Sequence, residues 1–163
     1  MTPLQDAGNL DRPERLLALE RSGLLRHDVV GRLDLLCETA CTILEVPMSQ
    51  VNILGSDYQV NIGKWPPDDD RVMDVRLTIC KEVIAALEPV VVPDTLLHPV
   101  MCLSPIVTVS GARSYLGVPI FFSGEAIGTF CVGDLVVRNW HTWNVAGLQG
   151  LARLAGLAVN GDD

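Results

Sequence analysis

The stretch at residues 111–134, GARSYLGVPIFFSGEAIGTFCVGD, constrains the fold more than any other part of the chain. Two apolar runs, 113–122 and 125–133, flank the step Ser123-Gly124. Val118, Ile120, Phe121 and Phe122 in the first run suit a pleated, half-buried surface, as do Ile127, Thr129, Phe130 and Val132 in the second. Two such runs joined by a glycine-containing turn predict a β-hairpin. Pro119 has no N–H to give to a ladder, so the pattern predicts a bulge or an unpaired edge there. This hairpin is expected at the centre of the sheet.

A second hairpin is expected upstream. Residues 49–54 alternate, with Val51 and Ile53 on one side and Gln50 and Asn52 on the other. Gly55-Ser56-Asp57 supplies the turn, and residues 58–62 the return strand. The run Val90-Val91-Val92 between Pro89 and Pro93 reads as a short strand near a sheet edge. Residues 63–75 read as loop, because Trp65-Pro66-Pro67 suits neither a helix nor a central strand. The carboxylates of Asp68, Asp69 and Asp70 lack the alternating ligands and mid-loop glycine of a calcium loop, and read as a solvated turn.

Four helices complete the order. The first is predicted from a capping box of Asp11 and Glu14, with Pro13 in its opening turn, to Ser22, where Gly23 ends it. The second is predicted over about 29–44 from the apolar face of Leu33, Leu36, Cys37, Ala40, Cys41 and Leu44. Thr78 caps a short third helix over about 79–87, and Thr142 a last one to about 159. Two hairpins with flanking helices define an α+β chain with an antiparallel sheet. The terminal helices are expected on one face, with loops and the short helix at Cys80 on the other.

The last helix is apolar on almost every side, with Gln149, Arg153 and Asn160 as its polar strip. A helix covering one sheet needs only a stripe. The surplus points to a further partner, either the first helix or a second subunit. Leu16, Leu19, Leu151, Leu154 and Leu157 are the dimer-interface candidates.

Length and charge narrow the function. At 163 residues the chain suits one domain over 12–160, with a leader at 1–11 and a tail at 161–163. A net charge of −8, with only 12 Lys and Arg scattered along the chain, argues against nucleic acid as a partner. No run of ~20 apolar residues is present to span a membrane. The polar start MTPLQDAGNLDRPER lacks a signal core, so a cytoplasmic chain is expected. The Met1 start suits a stand-alone protein or the N-terminal piece of a longer one.

The five cysteines, an odd count with no Cys-x-x-Cys, read as reduced thiols. Cys37 and Cys41 fall on the apolar face of the second helix and read as buried small hydrophobes. Cys80 lies in the first turn of the third helix, where exposed backbone N–H groups favour a thiolate, although Glu82 opposes it. His27, His98 and His141 are isolated from one another. No metal site and no cofactor are expected.

Several strings resemble the GAF domain, a small-molecule-sensing module of bacterial signalling proteins. The resemblance runs over about residues 12–159. Glu14-Arg15-Leu16-Leu17-Ala18-Leu19 is similar to the lead helix of one GAF subgroup. Pro89-Val90-Val91-Val92-Pro93-Asp94, with His98-Pro99 beyond, is similar to its "PLVVPDA…DPRF" segment. Tyr115-Leu116-Gly117-Val118-Pro119-Ile120 is similar to "YAGAPL", and Ile127-Gly128-Thr129-Phe130-Cys131-Val132-Gly133-Asp134 to "LGTLCVID". The resemblance implies an antiparallel sheet of five or six strands, a pocket between sheet and loops, and dimers built through the terminal helices.

The chain also departs from that pattern. Thr78-Ile79-Cys80-Lys81-Glu82 stands where the subgroup has "SFCAH", and Val60-Asn61 stands in place of an aromatic pair. The cyclic-nucleotide and bilin-attachment signatures are absent.

The leading expectation is a non-enzymatic regulatory domain, a homodimer that binds a small ligand or a signalling partner protein. Asn52, Cys80, Cys102, Tyr115 and Cys131 are the ligand-pocket candidates. An alternative is a thiol redox sensor, or an enzyme like the free-methionine-sulfoxide reductases of the same family, using Cys80 and Cys102. That group's upstream cysteine falls near Asp68–Asp70, and its carboxylate pair near Cys131 and Gly133. Neither is matched here. A third expectation is an interaction scaffold whose pocket is filled by Ile53, Tyr115 and Phe130.

Overall fold

A computed structural model describes residues 10–25 and 29–160, the last two by backbone alone. Most of the expected leader, His27 and the tail lie outside the described residues, as does the side chain of Asn160. Strands β1 (Met48–Leu54), β2 (Tyr58–Trp65), β3 (Val72–Asp74), β4 (Val90–Val92), β5 (Ser114–Phe122) and β6 (Glu125–Asp134) form one sheet. Its order is β3-β2-β1-β6-β5-β4, and every paired neighbour is antiparallel. Helices are α1 (Pro13–Ser22), α2 (Asp34–Leu44), α3 (Lys81–Ala86), α4 (Pro105–Thr108) and α5 (Thr142–Asn160). The chain is α+β, as its pattern predicts.

The middle of the sheet is the β1–β6 pair, from Met48↔Gly133 to Ile53↔Gly128. It therefore takes one strand from each hairpin, rather than both strands of the 111–134 hairpin. The physical reason is β5's sparse outer neighbour. β4 covers only Tyr115, Leu116 and Gly117, so β5 lies next to the edge. Pro119 falls beyond the end of β4, where its missing N–H breaks no ladder. The β5–β6 register shifts just after it, between Ile120 and Phe121. β3 lies in the segment expected to be loop. Three residues paired to Tyr58–Val60 are too few to carry an alternation.

The first helix lacks the expected capping box. Arg12 occupies its N-cap and makes no side-chain cap bond, while Pro13 opens the helix. Arg15 is instead the residue that ties α1 down. It is 1% exposed. Its guanidinium donates to Leu10 O at 2.9 Å, Ala126 O at 3.4 Å and Gly55 O at 3.3 Å. Burial lowers its pKa, with Asp11 and Glu125 opposing. α2 starts at Asp34, later than the expected start near residue 29. The chain before it is bonded to β2 instead, with Leu33 N–H on Ile62 O at 3.1 Å. Gly63 permits that approach, since a Cβ there would stand 2.9 Å from both Leu33 Cβ and Cys37 Sγ.

Strand alternation gives the sheet two unlike faces. Val51, Ile53, Leu116, Val118, Phe130 and Val132 face α2 and α5 in the larger core, where Cys37, Ala40, Leu44, Leu148 and Ala152 meet them. On the other face stand Gln50, Asn52, Gln59, Asn61, Thr129, Cys131 and Tyr115, most of them buried. A second core beneath α3 contains Ile79, Val83, Ile84 and Met101. Polar side chains buried against such a core require partners, and these residues find them in one another.

α5 uses Leu148, Leu151, Ala152 and Ala155 in its own core, while Leu154 and Leu157 remain 53% and 66% exposed. Among the described residues no helix is long and apolar enough to cross a membrane.

Candidate functional site

The site lies where the β1–β6 seam meets the start of α3. Thr78 sets the position of Cys80. Its hydroxyl accepts from Cys80 N–H at 3.1 Å and donates to Gln59 Oε1 at 2.6 Å, which anchors the turn to β2. Cys80 then serves as the N-cap residue of α3, so the helix starts two residues later than the expected 79, and it stops at Ala86 because Leu87 turns left-handed.

Asn52 is the hub. Its Nδ2 donates to Cys80 Sγ at 3.2 Å, Thr129 Oγ1 at 3.4 Å and Cys131 Sγ at 3.6 Å. Its Oδ1 accepts a short bond from Asn61 Nδ2. Asn61 also reaches Gln50 Oε1 at 3.5 Å. The Tyr115 hydroxyl stands 3.6 Å from Cys80 Sγ. Register explains the gathering: Asn52 pairs with Thr129 across one ladder and with Asn61 across the other.

These contacts decide where a proton resides. Cys80 is pulled down to about 6 because Cys131, Thr129 and Tyr115 hydrogen-bond to its sulfur, against the opposing effect of burial. Cys131 is held well above its usual value because it keeps the proton it shares with Cys80 and is itself buried. Tyr115 is raised by burial and by the two sulfurs. A protonated donor beside a thiolate is the arrangement that activates a thiol for nucleophilic or redox chemistry.

A cavity of about 70 Å³ opens beside Cys80, Tyr115 and Cys131. Gln50, Gln59 and Thr78 give it a polar side, while Ile79 and Ile106 are apolar wall. A larger groove of about 690 Å³ lies elsewhere, along the open edge of β5 between Pro119, Phe121, Gln149 and Arg153.

The structure brings Asn52, Cys80, Tyr115 and Cys131 together; the last three line the cavity, while Asn52 lies behind the two sulfurs to which it donates. Cys102 stands apart from them. Its thiol donates to Pro99 O at 3.7 Å, and it is not part of the cavity wall. Of the interface candidates, Leu19 and Leu151 are buried in the protomer's own core and Leu16 is half-buried, whereas Leu154 and Leu157 are open. Of the residues proposed to fill the pocket, only Tyr115 lines it. Ile53 and Phe130 belong to the helical face. Thr78, Gln59, Asn61 and Thr129 were not nominated by the sequence. The alternation of Gln50 with Asn52 and of Gln59 with Asn61 is the signal that would have found two of them.

Among the described residues no group of three His, Cys, Asp or Glu side chains could hold a metal ion. The Asp68 carboxylate is engaged by Lys64 Nζ at 2.8 Å. His98 Nδ1 accepts from the backbone of Val100 and Met101, which makes it a turn residue.

A six-stranded antiparallel sheet with helices on one face, and a cavity under loops and a short helix on the other, defines an α+β domain. The family model for the GAF domain matches residues 13–159, and the chain belongs to that family. No curated protein matches the sequence.

Solved structures with the same fold include a GAF domain from Acinetobacter phosphoenolpyruvate-protein phosphotransferase. It is 13% identical, with 92% of this chain and 95% of that one covered at a TM-score of 0.69. Free methionine-R-sulfoxide reductase from Neisseria meningitidis, solved with its substrate, is 20% identical, with 90% and 87% covered at 0.67. The PixJ GAF domain from Thermosynechococcus elongatus, in its blue-light-absorbing form, is 14% identical, with 91% and 89% covered at 0.66.

Proposed function

We propose that this GAF domain is a non-enzymatic regulatory module of bacterial signal transduction. In this reading it works in the cytoplasm as a homodimer joined through α5, binds a ligand of a few heavy atoms in the cavity under α3, and passes the change to a partner protein. The cavity carries the proposal. A mostly apolar recess with a few convergent polar groups is the usual form of a small-molecule site. Its volume of about 70 Å³ is well below the ~300 Å³ at which drug-sized pockets begin, which favours a small ligand over a nucleotide or a tetrapyrrole.

Native mass spectrometry of the purified chain tests this. A dimer with a reproducible small added mass, lost in Asn52→Leu, is the expected result. A dimer that carries no adduct, and whose Tm no small metabolite raises, leaves the interaction scaffold in its place.

A second reading is favoured by one observation, the gathering of the Asn52 amide and the Tyr115 hydroxyl about the Cys80 sulfur at the cavity wall. It is a thiol-dependent reductase in the manner of the free-methionine-R-sulfoxide reductases. Turnover of free methionine-R-sulfoxide with dithiothreitol, lost in Cys80→Ser, would establish it. Absence of turnover by the reduced chain would end it.

A further inference from the structure

We propose that Cys80 and Cys131 form a two-electron dithiol–disulfide switch, with small hydroperoxides as the oxidant. Cys131 thus takes the role that the sequence analysis expects of Cys102.

The geometry begins with a single amide nitrogen. Asn52 Nδ2 lies 3.2 Å from one sulfur and 3.6 Å from the other, so the two thiols share one donor. Both border the same cavity, whose volume of about 70 Å³ admits a two-oxygen molecule, given that a water occupies ~30 Å³ in the liquid. Cys102 borders neither the cavity nor the amide and is turned to Pro99 O. Cys37 lies on the opposite face of the sheet, in the helical core. The sheet separates the pair from Cys37 and Cys41, and Cys102 is turned away from it to Pro99.

The step balances as follows. Cys80 thiolate attacks one peroxide oxygen. An S–O bond forms, the O–O bond breaks, and the leaving hydroxide takes a proton to become water. Cys131 then attacks Cys80 Sγ. An S–S bond forms, the S–O bond breaks, and the second hydroxide leaves as water with the Cys131 proton. Two thiols lose two electrons and two protons to one hydroperoxide, and a dithiol reductant reverses the change. The lowered Cys80 and raised Cys131 fit these roles, the first as nucleophile and the second as proton source.

The disulfide would also disconnect Asn52. Its Nδ2 loses two sulfur partners, and the first turn of α3 becomes tied covalently to β6. The cavity wall then depends on redox state. This does not rest on the ligand reading, since the cross-link forms with the cavity empty.

The test uses the full reduced chain and hydrogen peroxide, followed by alkylation under denaturing conditions and non-reducing peptide mapping. The expected result is loss of two of the five thiols, in a peptide joining Cys80 to Cys131 that dithiothreitol releases. Cys102→Ser leaves the cross-link yield unchanged. Cys131→Ser abolishes it and lets a dimedone-trapped Cys80 sulfenic acid accumulate. A Cys80–Cys102 cross-link overturns the proposal, as does oxidation of Cys80 with Cys131 still free, or retention of all five thiols. Should Cys131→Ser not fold, the peptide map of the unaltered chain decides alone.

Discussion

Asn52 Nδ2 donates to Cys80 Sγ across 3.2 Å, and through that contact the central strand β1 holds the first turn of α3. The same amide's oxygen accepts from Asn61, so one side chain joins two strands and a helix. Asn52→Ala removes both ends at once, leaving the buried Asn61 amide only its long bond to Gln50 and taking one donor from the buried Cys80 sulfur. We expect a loss of about 1–3 kcal/mol in urea unfolding. Iodoacetamide labelling of Cys80 should also shift to higher pH, since the variant has lost a donor to the thiolate. An unchanged labelling profile would mean that Asn52 does not tune the sulfur.

Stability should depend on pH through the thiols, with a maximum near pH 9. Cys80 lies at about 6 against a usual value of 9.0, so between those values the unfolded chain binds the extra proton. Stability therefore rises from about pH 6 to 9, and that contribution is lost as pH falls through the folded value. Cys37 and Cys41 act the other way. Burial raises them to about 12 and about 11, so stability falls as pH climbs beyond 9. Thermal unfolding from pH 5.5 to 10 measures both limbs. Cys80→Ser should flatten the rising limb and leave the part of the falling one that comes from Cys37 and Cys41.

Gly128→Ala should damage the seam itself. A Cβ at Gly128 collides with the carbonyl oxygen of Asn52 and stands 2.9 Å from Ile53 Cδ1. Both obstacles belong to the facing strand, where Gly128 pairs with Ile53, and neither the backbone nor the packed side chain can yield freely. The expected cost is about 1–3 kcal/mol in urea unfolding. Gly124→Ala, at a turn with nothing within 4 Å, separates crowding from strain, because its φ of +78 alone should set its smaller cost.

Leu154 and Leu157 project from α5 into solvent in the protomer. Light scattering of the purified chain should report a dimer, and Leu154→Glu combined with Leu157→Glu should convert it to a monomer with unchanged circular dichroism. Exposed positions on a helix tolerate Glu at little cost to the protomer. A chain that is already monomeric at high micromolar concentration removes α5 as an interface.

The fold was legible because its signals are local and periodic. Alternation of Val51 and Ile53 with Gln50 and Asn52, and the Ser123-Gly124 turn, identify two hairpins without any knowledge of tertiary structure. The pairing of β1 with β6 was not legible, since no local pattern says which edges of two hairpins meet. The capping box at Asp11 also misled, because α1 is tied down by Arg15, which reaches the nearby Leu10 carbonyl and two far along the chain, Gly55 and Ala126.

Four pocket candidates gather at one place because the alternation put Asn52 on the polar face, and because Cys80, Tyr115 and Cys131 sit at fixed points of recognisable strings. Cys102 does not join them. It lies at the end of a loop, where spacing carries no direction.

The seam between β1 and β6 has a kinetic consequence. Ser49 and Cys131 meet across it although 82 positions separate them. Each hairpin can zip from its own turn in microseconds, but the seam must wait for a long loop to close. Asn52 and Cys131 come from opposite sides of that seam, so their cluster is assembled only after the two hairpins have met. Burial of Cys131 during refolding is therefore a clock for the completed sheet. It should lag the helical signal of α2, which packs chiefly on β1 and β2, the strands that follow it in sequence.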